Sequence, residues 1–179
     1  MTIDPEAIRR EALAYPGHFR TLFIASVDRE GMPHASYAPF VAFDGDYYVY
    51  ISDTVQRTRN FMDTGRAGIL FADDERDTVN PFARRRLSFQ CQAEEIPHGT
   101  EPHRQVVRCF HESFGKYFKP LEELADFHLF CLHPIRGLYV KGFGLAFALE
   151  GVGLSEIRHL TGQGHRRRDG QPLPDPAAL

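Results

Sequence analysis

Three strand-forming runs follow one another between Thr21 and Ser52 with only short turns between them. The first, Thr21 to Asp28, carries Leu22, Phe23, Ile24 and Val27; Arg29-Glu30-Gly31 then turns the chain into a second run, Pro33 to Phe43. Asp44-Gly45 turns it again into Asp46 to Ser52, where Tyr47, Tyr48, Val49, Tyr50 and Ile51 are all β-prone. Three consecutive antiparallel strands are the expectation, and they dominate what the rest of the chain can build.

The remaining segments add strands and a few helices. Ala67 to Ala72 reads as a buried fourth strand, and Arg85 to Glu94 as a fifth, with Leu87, Phe89 and Cys91 on one face. Asp4-Pro5-Glu6 supplies an N-cap, a first-turn proline and an acid, predicting a helix from Pro5 to Ala14. A short helix is expected over Thr54 to Met62. From Glu101 to Phe118 the period becomes helical, with Val106, Val107, Phe110, Phe114 and Tyr117 on one face; Leu121 to Leu124 extends it. Phe127 to Leu132 and Gly137 to Leu149 return to strand, and Gly142 and Gly144 suggest a bulge or a close approach to a ligand. The fold class is mainly β with flanking helices: a small antiparallel barrel of six or more strands over residues 1–160, followed by a flexible Gly- and Pro-rich tail, 161–179.

With 179 residues the chain is long enough for one self-sufficient core. Its three cysteines, Cys91, Cys109 and Cys131, are far apart and form no CxxC pair, which disfavours a disulfide framework or a zinc ribbon and fits a cytoplasmic protein with reduced thiols. A net charge of −3 argues against a dedicated nucleic-acid binder, and no apolar run reaches membrane-spanning length. No GxSxG, GxGxxG or P-loop pattern occurs, so hydrolase and dinucleotide readings lack support.

Nine histidines are the most suggestive chemical feature. His98, His103 and His111 are spaced by five and eight, unlike a helical metal pair, and are expected at the surface. His159 and His165 frame a loop that ends in Arg166-Arg167-Arg168, so the residues place a histidine beside cations that pair with acidic groups, or leave it an ordinary tail residue. Separately, Ser52, Thr54, Arg57, Thr58 and Arg59 at a strand end and helix start form either a phosphate cradle, suited to FMN, or an ordinary helix start with solvated arginines.

Ala25 to Val27 with Gly31-Met32-Pro33 and Ser36 to Phe40 resembles the opening strands of the pyridoxamine 5′-phosphate oxidase-like split barrels that bind FMN. Phe82 to Phe89, Asp126-Phe127, Gly137 to Gly144 and His159-Leu160 with Gly164-His165-Arg166 resemble, in that order, the HugZ/HutZ-type haem-utilisation proteins. The resemblance implies a homodimeric split barrel that binds haem between subunits and opens its ring oxidatively, using electrons from a donor. It assigns His165 as the axial ligand of the haem iron, Asp126 as an interface carboxylate beside it, and Arg86 as a distal arginine. Arg166, Lys141 and Gly142 of the matched segments are implied haem contacts. Thr58 stands where some relatives have a histidine. The alternatives are an FMN oxidoreductase using Ser52, Arg57 and Thr58, and a haem carrier without turnover.

Overall fold

In the computed structural model, residues 4–160 are described. The opening hairpins form as the sequence indicates: β1 (Thr21–Val27), β2 (Pro33–Phe43) and β3 (Asp46–Ser52). The β2–β3 turn uses Asp44 at φ 51° and Gly45 at φ 86°, the left-handed pair that matches the twist of antiparallel strands. Then come α2 (Gln56–Thr64), β4 (Arg66–Ala72), β5 (Arg86–Ile96), α3 (Glu101–Phe114), α4 (Lys119–Glu122), β6 (Phe127–Gly142), β7 (Leu145–Glu150) and β8 (Glu156–His159), after an N-terminal α1 (Pro5–Ala14).

Strands β3-β2-β1-β4-β5-β6 form a ring closed by the β3–β6 pairing, and β7 and β8 extend from β6. Two strands make closure possible by changing partner along their length. Residues 33–39 of β2 pair with β1 and residues 40–43 with β3; Pro39, which has no N–H to give, lies at the changeover. Residues 127–132 of β6 pair with β3, 129–140 with β5 and 137–142 with β7.

The strand expected to break between Leu132 and Gly137 is one continuous strand of 16 residues. Pro134 is tolerated because β3 pairing has ended and the β5 register shifts there, with Ile135 bulged out between Pro134 and Arg136. Its continuation to Leu149 is instead a hairpin, turning at Phe143-Gly144 into β7. The helix expected to reach Phe118 stops at Phe114 because Gly115 takes φ 49°. The expected surface position of His103 is corrected too: it is buried at the α3 start, 4.6 Å between ring centroids from His98, and burial, with His98 beside it, lowers its pKa.

Strand β3 is buried on both faces, which explains its unbroken run of aromatic and branched residues. Tyr47, Val49 and Ile51 enter the barrel interior with Phe71, Leu87, Phe89 and Tyr139, while Tyr48 and Tyr50 lie under α3 against Val106, Val107 and Phe110. Phe61 of α2 packs on Phe130 at one mouth, and Tyr15, just after α1, packs on Phe19 and Tyr139 at the other. The outer face of β1, β2 and β6 has no such cover: Phe23 is 56% exposed, Tyr37 63% and Leu138 39%. Gly137 lets β6 cross the Phe89 ring, since a Cβ there would stand 2.8 Å from it.

Candidate functional site

The residues singled out in the sequence fall at the two ends of β6. At its start, the Asp126 carbonyl accepts from the Asp53 N–H at 2.8 Å, and Ser52 Oγ donates to Asp126 Oδ2 at 2.9 Å. Ser52 Oγ also lies 2.9 Å from Thr54 Oγ1 and accepts from the Thr54 N–H at 3.2 Å. No hydrogen bond from the described residues reaches Asp126 Oδ1. The implied haem-site carboxylate and the FMN-cradle serine are therefore one hydrogen-bonded cluster, joined across 74 positions of sequence.

The phosphate cradle itself is corrected. Thr58 is fully buried, and its hydroxyl donates inward to the Ser52 carbonyl at 2.6 Å, so it has no surface to offer a phosphate. Arg57 lies along β2, donating to the Tyr37 carbonyl at 3.2 Å, with its Nε buried and unpartnered among the described residues. Burial draws its pKa below the ordinary guanidinium value. The helix begins at Gln56 rather than Thr54, because Thr54 sits in the turn that binds Ser52.

At the far end of β6, Lys141 is committed elsewhere. Its Nζ donates to Glu11 Oε2 at 2.6 Å, while Tyr139 Oη donates to Glu11 Oε1 at 2.8 Å and accepts from Arg85 Nε at 2.8 Å. The Arg85 guanidinium stacks 4.3 Å above the Tyr15 ring, and Tyr15 Oη donates to Asp73 Oδ1 at 2.7 Å. Partial burial pushes the Glu11 carboxyl up, but Lys141, Tyr139 and Arg85 outweigh it and hold the group below the usual carboxylate range. Arg86, opposite Val140, donates to the Arg84 carbonyl at 2.9 Å, and Gly142 lies at the register shift before β7.

One chain does not bring Asp126 and Arg86 together. The fourteen residue-to-residue steps from Asp126 to Val140 span roughly 45 Å measured along the strand, at about 3.3 Å per step. Between these ends, the uncovered outer face forms an open trough of about 800 Å³, within the range of ligand pockets. Phe23, Leu70 and Leu138 supply its apolar walls, and Arg136 and Arg158 its cations. Sequence reasoning missed these residues; the signal was the second phase of the strand alternation, Phe23 with Ala25 and Arg136 with Leu138, opposite the core face.

Leu160 also lines the trough, so the chain passes from its edge into residues 161–179. His165 and Arg166, the expected ligand and its neighbour, lie outside the described residues. The approach is fixed by His159, which stacks on Phe147 at 4.6 Å and hydrogen-bonds the Gly144 carbonyl at 3.1 Å. A carbonyl only accepts, so His159 Nε2 carries a proton. Among the described residues no group of three or more metal-ligating side chains occurs, and no helix is long and apolar enough to cross a membrane.

The family model for pyridoxamine 5′-phosphate oxidase matches residues 8–141. The chain belongs to this family. Within it, the chain is 39% identical over 148 residues to the haem oxygenase HutZ of Vibrio cholerae, covering 83% of this chain and 84% of that protein. A crystal structure of HutZ, described there as a haem storage protein, superposes with a TM-score of 0.63 at 35% identity, covering 75% of this chain and 91% of the other. Campylobacter jejuni ChuZ superposes with a TM-score of 0.83 at 26% identity, over 93% of this chain and 68% of that one. The split-barrel expectation and the haem-utilisation resemblance both stand on these matches.

Proposed function

We propose that this chain binds haem as its substrate and opens the ring oxidatively to release iron. The observation that carries the reading is the apolar trough with Arg136 and Arg158 on its walls, ending at Leu160, in a chain closely related to a haem oxygenase. A porphyrin needs a flat apolar surface for its ring and cations for its two carboxylates, and this surface offers both. The bound iron supplies the oxygen activation, with electrons from a separate reductase or small reductant.

The chain's own residues bind and orient. His165 supplies an imidazole to the iron, and Asp126 Oδ1 accepts from the other ring nitrogen, fixing its tautomer and increasing its electron donation. Arg86 would supply a hydrogen-bond donor to the bound group, and Arg166 would pair with a carboxylate of the ring. Because Asp126 and Arg86 lie at opposite ends of β6, the active unit is a homodimer in which two copies cover the Phe23–Tyr37–Leu138 face and complete each site. The tail, 161–179, is the ligand-bearing appendage of a single barrel domain, working in a reducing cytoplasm that keeps Cys91, Cys109 and Cys131 as thiols.

A carrier role is the second reading, favoured by the storage description attached to the HutZ structure. The FMN reading rests on family membership and is weakened by the inward Thr58. A haemin titration of the purified protein, run beside FMN and repeated with His165→Ala, separates these. We expect a saturable Soret band that the variant lacks; unchanged haemin affinity in His165→Ala would overturn the ligand assignment. Decay of that band with reductant and oxygen marks turnover, whereas a stable band marks a carrier.

A further inference from the structure

We propose that Arg136 and Arg158 are the specificity-determining anchors of the trough: they take the two carboxylates of a porphyrin dicarboxylic acid, so that the ring lies with its acid edge over β6–β8 and its apolar edge over β1 and β4. The inference rests on the proposed haem reading and names what that site selects. Residues directly opposite one another in antiparallel strands share a face, and Phe23, Leu70, Ser88, Leu138, Ala148 and Arg158 are successive partners across β1, β4, β5, β6, β7 and β8. Two residues along the strands, Ala25, Gly68, Gln90 and Arg136 form a second row. Both rows line the trough. Phe23 and Leu70 close its β1–β4 end, Ala25, Gly68, Ser88 and Ala148 keep the floor low enough for a flat ring, and both arginines that line it stand at the β6–β8 end.

Arg136 faces the trough because of the bulge at Ile135. Before the bulge, Phe130 and Leu132 at even positions enter the barrel core; after it, Tyr139 at an odd position does. The extra residue shifts the alternation by one, and Arg136, which would otherwise follow Leu132 inward, turns outward with Leu138. The irregularity thus aims a guanidinium into a groove of ligand size. Among the described residues no carboxylate pairs with Arg136. Arg158 is paired with the exposed Glu150 at 3.6 Å, a contact that contributes little in water. Both guanidiniums are therefore available for two-pronged pairing with a ligand acid. They stand two strand spacings apart across the sheet, about 10 Å, and two residues apart along it, about 7 Å, so both serve the same edge of a bound ring.

The experiment titrates the full chain, followed by the Soret band, with haemin and with haemin dimethyl ester, in which both acids are capped while the ring and iron are unchanged. The parent should bind haemin about 100-fold more tightly than the ester. Arg136→Ala and Arg158→Ala should each weaken haemin about 10-fold and leave the ester within about twofold. Leu70→Ala, at the apolar end, should weaken both ligands alike. Equal affinity of the parent for haemin and ester overturns the anchoring role, needs no variant to fold, and leaves the haem reading standing. Arginine variants that spare haemin, or weaken both ligands alike, overturn it too. A Leu70→Ala loss confined to haemin overturns the orientation. If the parent gives no saturable band with haemin, the haem reading itself has failed, and the anchors fall with it.

Discussion

The two ends of β6 draw on the same chemistry, acids, hydroxyls and cations, and use it in opposite ways. At the Tyr139–Lys141 end both oxygens of Glu11 are bonded, Tyr139 both donates and accepts, and Arg85 is sandwiched on aromatic rings. At the Asp126 end the network stops one bond short among the described residues, where only Oδ2 has a partner. A closed network holds the fold together; the other leaves room for the ligand role proposed for Asp126. The matched motifs alone do not separate these roles, because Lys141 and Asp126 both look like charged site residues in sequence.

The comparison can be broken most severely on the face between the two ends. Phe23→Asp puts a charge in the exposed apolar surface, and we expect it to convert the proposed dimer to monomer in sedimentation and to lose the haemin Soret band with it; a monomeric variant that keeps the band would place the whole site within one chain. Next in size is Tyr139→Ala. Removing this fully buried ring should cost about 3–5 kcal/mol in urea unfolding, because it leaves a cavity and strips Glu11 and Arg85 of a partner.

Glu11→Gln tests the clamp by pH. The folded carboxyl lies below its unfolded value, so its stabilisation is complete above the unfolded pKa, near 4.5, and is lost as pH falls through the folded one. The parent should therefore lose stability on acidification below about pH 4.5, and the variant should lose less there while being weaker by about 1 kcal/mol at neutral pH. The smallest effect is reserved for Lys141→Met. Its ammonium is held by Glu11, so haemin affinity should stay within about twofold, well under 1 kcal/mol; a tenfold loss would make Lys141 a ligand contact and erase the contrast between the ends.

Local patterns were legible in the sequence and long-range ones were not. The first helix and the first three strands follow from alternation, Asp4-Pro5 and Asp44-Gly45, all of which act within a few residues. Pro134 read as a break because its tolerance depends on where β3 ends and on a bulge against β5, neither encoded nearby. Thr58 read as a phosphate donor because a first-turn hydroxyl looks the same in sequence whether it faces solvent or, as here, the Ser52 carbonyl. The candidate site residues were named one by one from motifs, but the partnership of Ser52 with Asp126 emerged only when the barrel closed.

That closure depends on a single late strand. Until β6 is made, β3-β2-β1-β4-β5 is an open sheet with two bare edges, and β6 pairs with both of them. A ribosome must therefore release about 140 residues before the sheet loses its sticky borders, so synthesis passes through an interval in which nascent chains can join edge to edge. Stalling or truncation ahead of Phe127 yields an aggregation-prone fragment rather than a smaller barrel.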